Sequence, residues 1–248
     1  MARQPRIQYE NAIYHVMSHS IEEQRLFVKK DDFRLFLGIM GRTQIEYSLN
    51  IFAYCLLNDH YHVLLQTPLG NLGQAMQYLN GVYVMACNGR KGRLGHLTQR
   101  RYNCRLIEEQ EYFQVVARYI AYNPVKAGLV ARPEDWLFSS YRATVGLCKP
   151  PRFLDIDGLL AFFNPFRESR DDAYSAFLKE TEETEMEFDE HLVLLRPTLN
   201  HIFAGLARDM AVREAIHRWE YKHADVADFL GLKRSAISKI LQKFTKSA

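Results

Sequence analysis

No stretch of this 248-residue chain approaches the roughly 20 consecutive apolar residues that a membrane-spanning helix needs. Its start, Met1-Ala2-Arg3-Gln4-Pro5-Arg6, also lacks the apolar core of a secretory signal. The expectation is a cytoplasmic protein with no membrane partner. Cysteine is scarce: Cys55, Cys87, Cys104 and Cys148 form neither a CxxC pair nor a zinc-ribbon spacing, so reduced thiols are expected and disulfides are not. A GxxxxGK[ST] phosphate loop is missing, which removes the usual cradle for ATP. Charge of one sign is missing too. With 32 basic and 29 acidic residues the net charge is only +3, too little to define a partner.

What charge there is sits unevenly. Arg90, Lys91, Arg93, Arg100, Arg101 and Arg105 fall in one short segment, whereas Thr181 to Glu190 is strongly acidic. Two readings of the basic segment stand, a solvated surface or an edge that binds phosphates. With 48% hydrophobic and 25% charged residues, the chain can bury one large core and a small one.

The most informative stretch is Asn58-Asp59-His60-Tyr61-His62-Val63-Leu64-Leu65-Gln66. Side chains at i and i+2 share one face of a strand, so His60 and His62 would present two imidazoles side by side. Such a pair is half of a metal site, and it is equally a pattern found in satisfied core histidines. Ile51 to Leu57 before it reads as a preceding strand, joined through a tight Asn58-Asp59 turn.

Around this hairpin, Ile13 to Ser18 reads as a first strand, with His15 and His19 taken as structural or surface residues. Asp31 or Asp32 is placed to cap a helix through Phe33, Phe36, Leu37 and Met40 toward Tyr47, and Asn71 to cap another from Leu72 to near Gly89. Cys104 to Glu108 supplies a fourth strand, and Glu111 opens a helix that Asn123-Pro124 should interrupt, with Gly128 ending a short turn beyond. The pattern predicts an α+β fold, an antiparallel or mixed sheet sandwiched by helices.

From Cys148 the texture changes to a Lys149-Pro150-Pro151-Arg152 linker and then to helical segments of little strand character. The domain plan is therefore residues 1–147 for the sheet domain, 148–204 for linker and connecting helices, and 205–248 for a last helical domain. Within it His223 to Leu230 and Arg234 to Phe244 read as two short helices around a Gly231-Leu232-Lys233 turn, the outline of a helix-turn-helix. Its second helix would turn Arg234, Ser235, Ser238, Lys239 and Gln242 outward, donors suited to phosphates and base edges. An inert helical cap is the competing reading.

A metal that assists phosphate chemistry wants a hard oxygen ligand beside two imidazoles, and Asn123 can supply one. Tyr119 stands one helical turn before it, on the same helix face. That spacing serves a nucleophile and a ligand, or a packed tyrosine and a helix cap.

Taken in order, Asn58 to Leu65, Gly95-His96-Leu97-Thr98-Gln99, Tyr119-Ile120-Ala121-Tyr122-Asn123-Pro124-Val125-Lys126-Ala127-Gly128-Leu129-Val130 and Ser139-Ser140-Tyr141 resemble the single-tyrosine HUH transposases. Within these the chain looks most like the REP-associated tyrosine transposases. The resemblance spans roughly Arg6 to Gly146 and implies a metal-dependent endonuclease and strand transferase acting on single-stranded or hairpin DNA, including REP-like repeats. By resemblance, His60, His62 and Asn123 hold Mg²⁺ or Mn²⁺ and Tyr119 is the nucleophile that forms a 5′-phosphotyrosine. Arg100, Arg101 and Arg105 then read as backbone-phosphate contacts, and a homodimer is among the implied assemblies. Asp59 stands where an asparagine is common and is expected to cap the turn; Thr98 replaces an aromatic and Arg100 a glycine. The competing functions are a domesticated DNA-binding regulator that no longer cuts, and a nuclease using water.

Overall fold

The computed structural model describes residues 8–21, 25–92, 95–98, 101–163, 186–189, 194–197, 199–219 and 221–245. The chain divides into two compact units, residues 1–181 and 182–248. The boundary expected at 147–148 therefore falls inside the first unit.

The first unit is built on four strands, β1 (Ala12–His19), β2 (Asn50–Leu56), β3 (His60–Thr67) and β4 (Asn103–Ile107), in the spatial order β2-β3-β1-β4. Every pairing is antiparallel. This is the α+β sheet that the sequence predicts, resolved in favour of the antiparallel form. One face carries α1 (Lys30–Tyr47) and α2 (Leu72–Lys91), which pack together. In α1 the buried residues Phe33, Phe36, Ile39, Met40 and Thr43 recur at helical spacing and form its inward stripe. The apolar four of them meet the β1 residues Tyr14 and Val16 and the β3 residues Tyr61, Val63 and Leu65 in one core. Phe36 is its centre, with ring centroids of Phe27, Tyr61 and Tyr83 at 5.3, 4.7 and 5.1 Å. Phe36→Ala should cost about 3–5 kcal/mol, measured as a lowered urea midpoint; a shift under about 1 kcal/mol would contradict this packing.

The caps differ from expectation in detail. Asp32 does not cap α1 from in front; its carboxylate reaches back from inside the first turn to accept from the Val28 and Lys29 backbone N–H groups, at 3.0 and 3.1 Å. Asn71 precedes α2, but its side chain donates to the Tyr47 carbonyl rather than capping the helix.

The opposite face of the sheet takes α3 (Gln110–Lys126), which lies on β2, β3 and β4. The interruption expected at Asn123-Pro124 is overturned: α3 runs through Pro124. Proline removes one helical donor and disfavours helical geometry in its predecessor, at a cost of about 3 kcal/mol in a helix interior. Here only half a turn follows it, and Ile120, Asn123 and Pro124 are all buried, so packing outweighs the local rule. The helix closes in a Schellman motif, with Gly128 N–H donating to Val125 O, Leu129 N–H donating to Pro124 O and Gly128 at φ 67°.

The outer edge of β2 is not bare. Leu56 N–H donates to Phe138 O, Ser140 N–H donates to Tyr54 O, and the Ser140 hydroxyl accepts from Tyr54 N–H at 3.0 Å. Beyond the short helix α4 (Tyr141–Thr144), Asp155 N–H donates to Ile51 O, and Leu154 joins the core with Ile156 and Leu160 of α5 (Ile156–Ala161). Ser139 and Ser140, noted in the sequence as part of a motif, thus seal an edge.

In the second unit Met186–Asp189 (β5) and Leu194–Pro197 (β6) pair antiparallel, correcting the expectation of little strand character after residue 148. The period-two alternation of Met186-Glu187-Phe188-Asp189 is short and lies inside an acidic run, which hid it. Most of the predicted connecting stretch from Phe162 to Leu178, and of the acidic run, lies outside the described residues. The helices are α6 (Leu199–Gly205), α7 (Arg208–Arg213), α8 (His223–Phe229) and α9 (Arg234–Thr245), with one π-helical turn at Glu214–Arg218. Ala227 and Ile237 are buried between α8 and α9, and Gly231 in the connecting turn has φ 64°. No helix among the described residues is long and apolar enough to cross a membrane.

Candidate active site

The site lies on the α3 face of the sheet. Strand alternation turns His15 and His19 of β1 and His60 and His62 of β3 to this face, while Tyr61 points into the opposite core and donates its hydroxyl to Asn80. Register does the rest. His19 is directly opposite His60, and their rings stack at 4.7 Å; His15 is opposite Leu64 and so diagonal to His62. His15 Nε2 lies 3.0 Å from His62 Nδ1. The rings of His60 and His62 stand 5.0 Å apart and nearly perpendicular.

From α3, Tyr119 and Asn123 reach this cluster. The Tyr119 ring packs edge-on against His62 at 5.4 Å and against His15 at 6.2 Å, only 6% exposed. The Asn123 amide nitrogen lies 3.2 Å from His62 Nε2. Residues as far apart in the chain as His15 and Tyr119 are thus brought together, with Tyr119 beside the histidines of its own chain. Lys126, one further turn along α3, sets its ammonium 5.1 Å from the centre of the Tyr119 ring. Burial lowers its pKa.

Burial governs the ionisation of His15 and His62. His15 is fully enclosed, and desolvation, followed by the charge of Arg105, pushes its pKa down to about 3. His62 is also pushed well below the usual histidine range, first by burial and then by His60, His15 and His19. Both rings are neutral at neutral pH, the form in which imidazole ligates a metal. Asp59 Oδ1 lies 2.9 Å from His60 Nδ1, and that hydrogen bond is the main reason its carboxyl is held below the usual range. Asp59 therefore binds the adjacent histidine, where the sequence suggested a turn cap.

No group of three His, Cys, Asp or Glu side chains suited to a metal occurs among the described residues. A cation site here depends on the carboxamide of Asn123 turning its oxygen toward the two imidazoles, since its nitrogen is the atom that lies against His62 Nε2. Two neutral imidazoles and an amide are a mixed nitrogen and oxygen set compatible with Mg²⁺ or Mn²⁺ when phosphate and water complete the shell.

Of the basic residues singled out, Arg105 is the one whose position faces the site: it is opposite His15 on β4, with its guanidinium 5.0 Å over the Tyr112 ring. Arg90 and Arg101 are exposed on the first unit, Arg93 and Arg100 lie outside the described residues, and so does the side chain of Lys91. In the second unit Arg234, Ser235, Lys239 and Gln242 are exposed on α9, and the Ser238 hydroxyl donates to Arg234 O. Sequence reasoning missed His15, His19 and Lys126. The alternation His15-Val16-Met17-Ser18-His19 did signal two histidines on one face, but the pairing of β1 with β3 was needed to use it.

The family model described as "Transposase IS200 like" matches residues 8–123, a range holding both histidine pairs, Tyr119 and Asn123. A protein of Haemophilus influenzae named for the REP-associated tyrosine transposases is 32% identical over 121 residues, covering 44% of this chain and 69% of the relative. The chain belongs to the IS200-like single-tyrosine transposases, in their REP-associated branch. A solved REP-associated tyrosine transposase, bound to a REP hairpin, shares the fold with a TM-score of 0.53 at 19% identity, over 63% of this chain and 90% of that one.

Proposed function

We propose that the chain is a metal-dependent DNA endonuclease and strand transferase that cuts single-stranded or hairpin DNA through a 5′-phosphotyrosine at Tyr119. The observation that carries this reading is the packing of the Tyr119 ring against His62, with Asn123 one turn further along the same helix and in contact with the same imidazole. In this mechanism His60, His62 and Asn123 would hold the cation. A bound Mg²⁺ or Mn²⁺ would offset negative charge on the scissile phosphate.

The protein's own groups do the rest. The Tyr119 phenol loses its proton and its oxygen forms a bond to phosphorus, while the bond to the 3′ oxygen breaks and that oxygen takes up a proton. The products are a 5′-phosphotyrosine and a free 3′-hydroxyl, and the reverse reaction joins strands. An ordinary tyrosine has a pKa of about 10, so the phenolate needs a positive field. Lys126 supplies one next to the ring, with its ammonium 5.1 Å from the ring centre. Arg105, facing His15, is placed to meet a phosphate entering from the β4 side. REP-like hairpins are the substrate class favoured here, by analogy with the DNA bound to the structural relative.

The decisive experiment incubates the protein with labelled hairpin or single-stranded DNA and Mg²⁺ or Mn²⁺ and looks for a denaturant-resistant adduct. Tight binding without cleavage would instead support a DNA-binding regulator. The exposed donors of α9 give the second unit a role in duplex recognition, as the second helix of a helix-turn-helix. Arg234→Ala with Lys239→Ala should then weaken hairpin binding about 10- to 100-fold and reduce its salt dependence, leaving adduct formation on a short substrate unchanged. Unaltered affinity in a gel-shift titration would reject that role.

A further inference from the structure

Each of the two rings assigned to the cation is already held at one nitrogen. Asp59 Oδ1 lies 2.9 Å from His60 Nδ1, and His15 Nε2 lies 3.0 Å from His62 Nδ1. We propose that Asp59 and His15 are positioning residues, each accepting a hydrogen bond from an Nδ1–H so that His60 and His62 both keep Nε2 as the lone-pair nitrogen for a divalent cation. The inference rests on the reading of His60 and His62 as cation ligands.

With the Asn123 amide oriented as in the structure, the hydrogen-bond geometry selects the tautomers. A neutral imidazole has one donor nitrogen and one acceptor. An ionised carboxylate only accepts, so His60 must carry its proton at Nδ1 to bond Asp59. For His62, the group facing Nε2 at 3.2 Å is the amide nitrogen of Asn123, which only donates. His62 Nε2 is then the acceptor, Nδ1 holds the proton, and His15 accepts it at Nε2; the proton of His15 itself sits on Nδ1, a buried nitrogen without a hydrogen-bond partner among the described residues. Donors thus run in one direction, from Asn123 through His62 to His15. The bond between His15 and His62 is buried, with both residues at 0% exposure, so neither ring can trade its partner for water.

The two supports differ in kind. Asp59 is charged and its side chain is 61% exposed, whereas His15 is neutral and enclosed. A carboxylate behind a ligating histidine raises the basicity of the ring as well as orienting it, and a neutral acceptor chiefly orients. His60 should accordingly be the stronger donor of the pair, and His62 the more rigid one.

The test uses the full chain and Mn²⁺ alone, followed by calorimetry, with ¹⁵N-histidine long-range correlation spectra of the metal-free protein as a second readout. Asp59→Ala and His15→Phe should each weaken Mn²⁺ binding about 10- to 100-fold, and Asp59→Asn and His15→Gln, which keep an acceptor, should recover most of it. Spectra of the wild type should show Nδ1–H tautomers for both His60 and His62. Because His15→Gln and the spectra leave no gap in the core, they decide the matter even where His15→Phe fails to fold. Variants that bind Mn²⁺ like the wild type, while His60→Ala has lost it, would overturn this inference alone, as would an Nε2–H tautomer at His62. A wild-type chain that takes up no Mn²⁺ overturns the cation reading and this inference together.

Discussion

Replacing Tyr119 by phenylalanine is expected to abolish the covalent protein–DNA adduct, slowing its formation by at least about a thousandfold. The substitution deletes one oxygen and keeps the ring, so the edge-on contacts with His62 and His15 and the position of Lys126 survive. DNA binding, measured on an uncleavable hairpin, should change less than about threefold. That split separates a nucleophile from a packing residue. His60→Ala should also suppress the adduct strongly, through the cation instead of the attacking atom. Cleavage that persisted in Tyr119→Phe without an adduct would show that water is the nucleophile, and the proposed covalent chemistry would be lost.

Acid should unfold this protein through its buried histidines. In the unfolded chain His15 takes up a proton below its ordinary pKa of 6.5, whereas the native ring resists until about pH 3. Between those limits the unfolded state binds more protons, so stability is full above 6.5 and falls as the pH falls. From His15 alone the loss reaches about 3 kcal/mol by pH 4. His62, shifted in the same direction, adds to it. Urea midpoints measured from pH 8 to pH 4 should show this slope, and His15→Gln should flatten it while keeping a hydrogen bond to His62. An equally steep slope in His15→Gln would mean that His15 is solvated and titrates normally.

Local periodicity made the main elements legible. Alternation marked β1, the β2–β3 hairpin was bounded by Asn58-Asp59, and the inward stripe of α1 appeared as Phe33, Phe36 and Met40. The i, i+4 relation of Tyr119 and Asn123 could also be read, because it is a property of one helix. The supports of the site could not. That His15 meets His62 diagonally and His19 meets His60 head-on depends on pairing between segments more than 40 residues apart. Pro124 misled for a different reason: its cost is local and visible, while the burial of Ile120 and Asn123 that offsets it is tertiary. The basic segment, legible as one run, is divided by the fold, since Arg90 lies at the surface in the last turn of α2 and Arg105 faces the histidines.

The sealed margin of β2 has a practical consequence for anyone trimming the protein to a minimal nuclease. The family match stops at residue 123, yet the backbone groups of Ile51, Tyr54 and Leu56 are satisfied by Phe138, Ser140 and Asp155. A fragment cut at the end of the match would retain Tyr119 and the four histidines of the site and still leave that margin unzipped, inviting strand addition from neighbouring molecules. Such a fragment should come out of expression as aggregate, whereas one ending beyond residue 163 keeps its own selvedge.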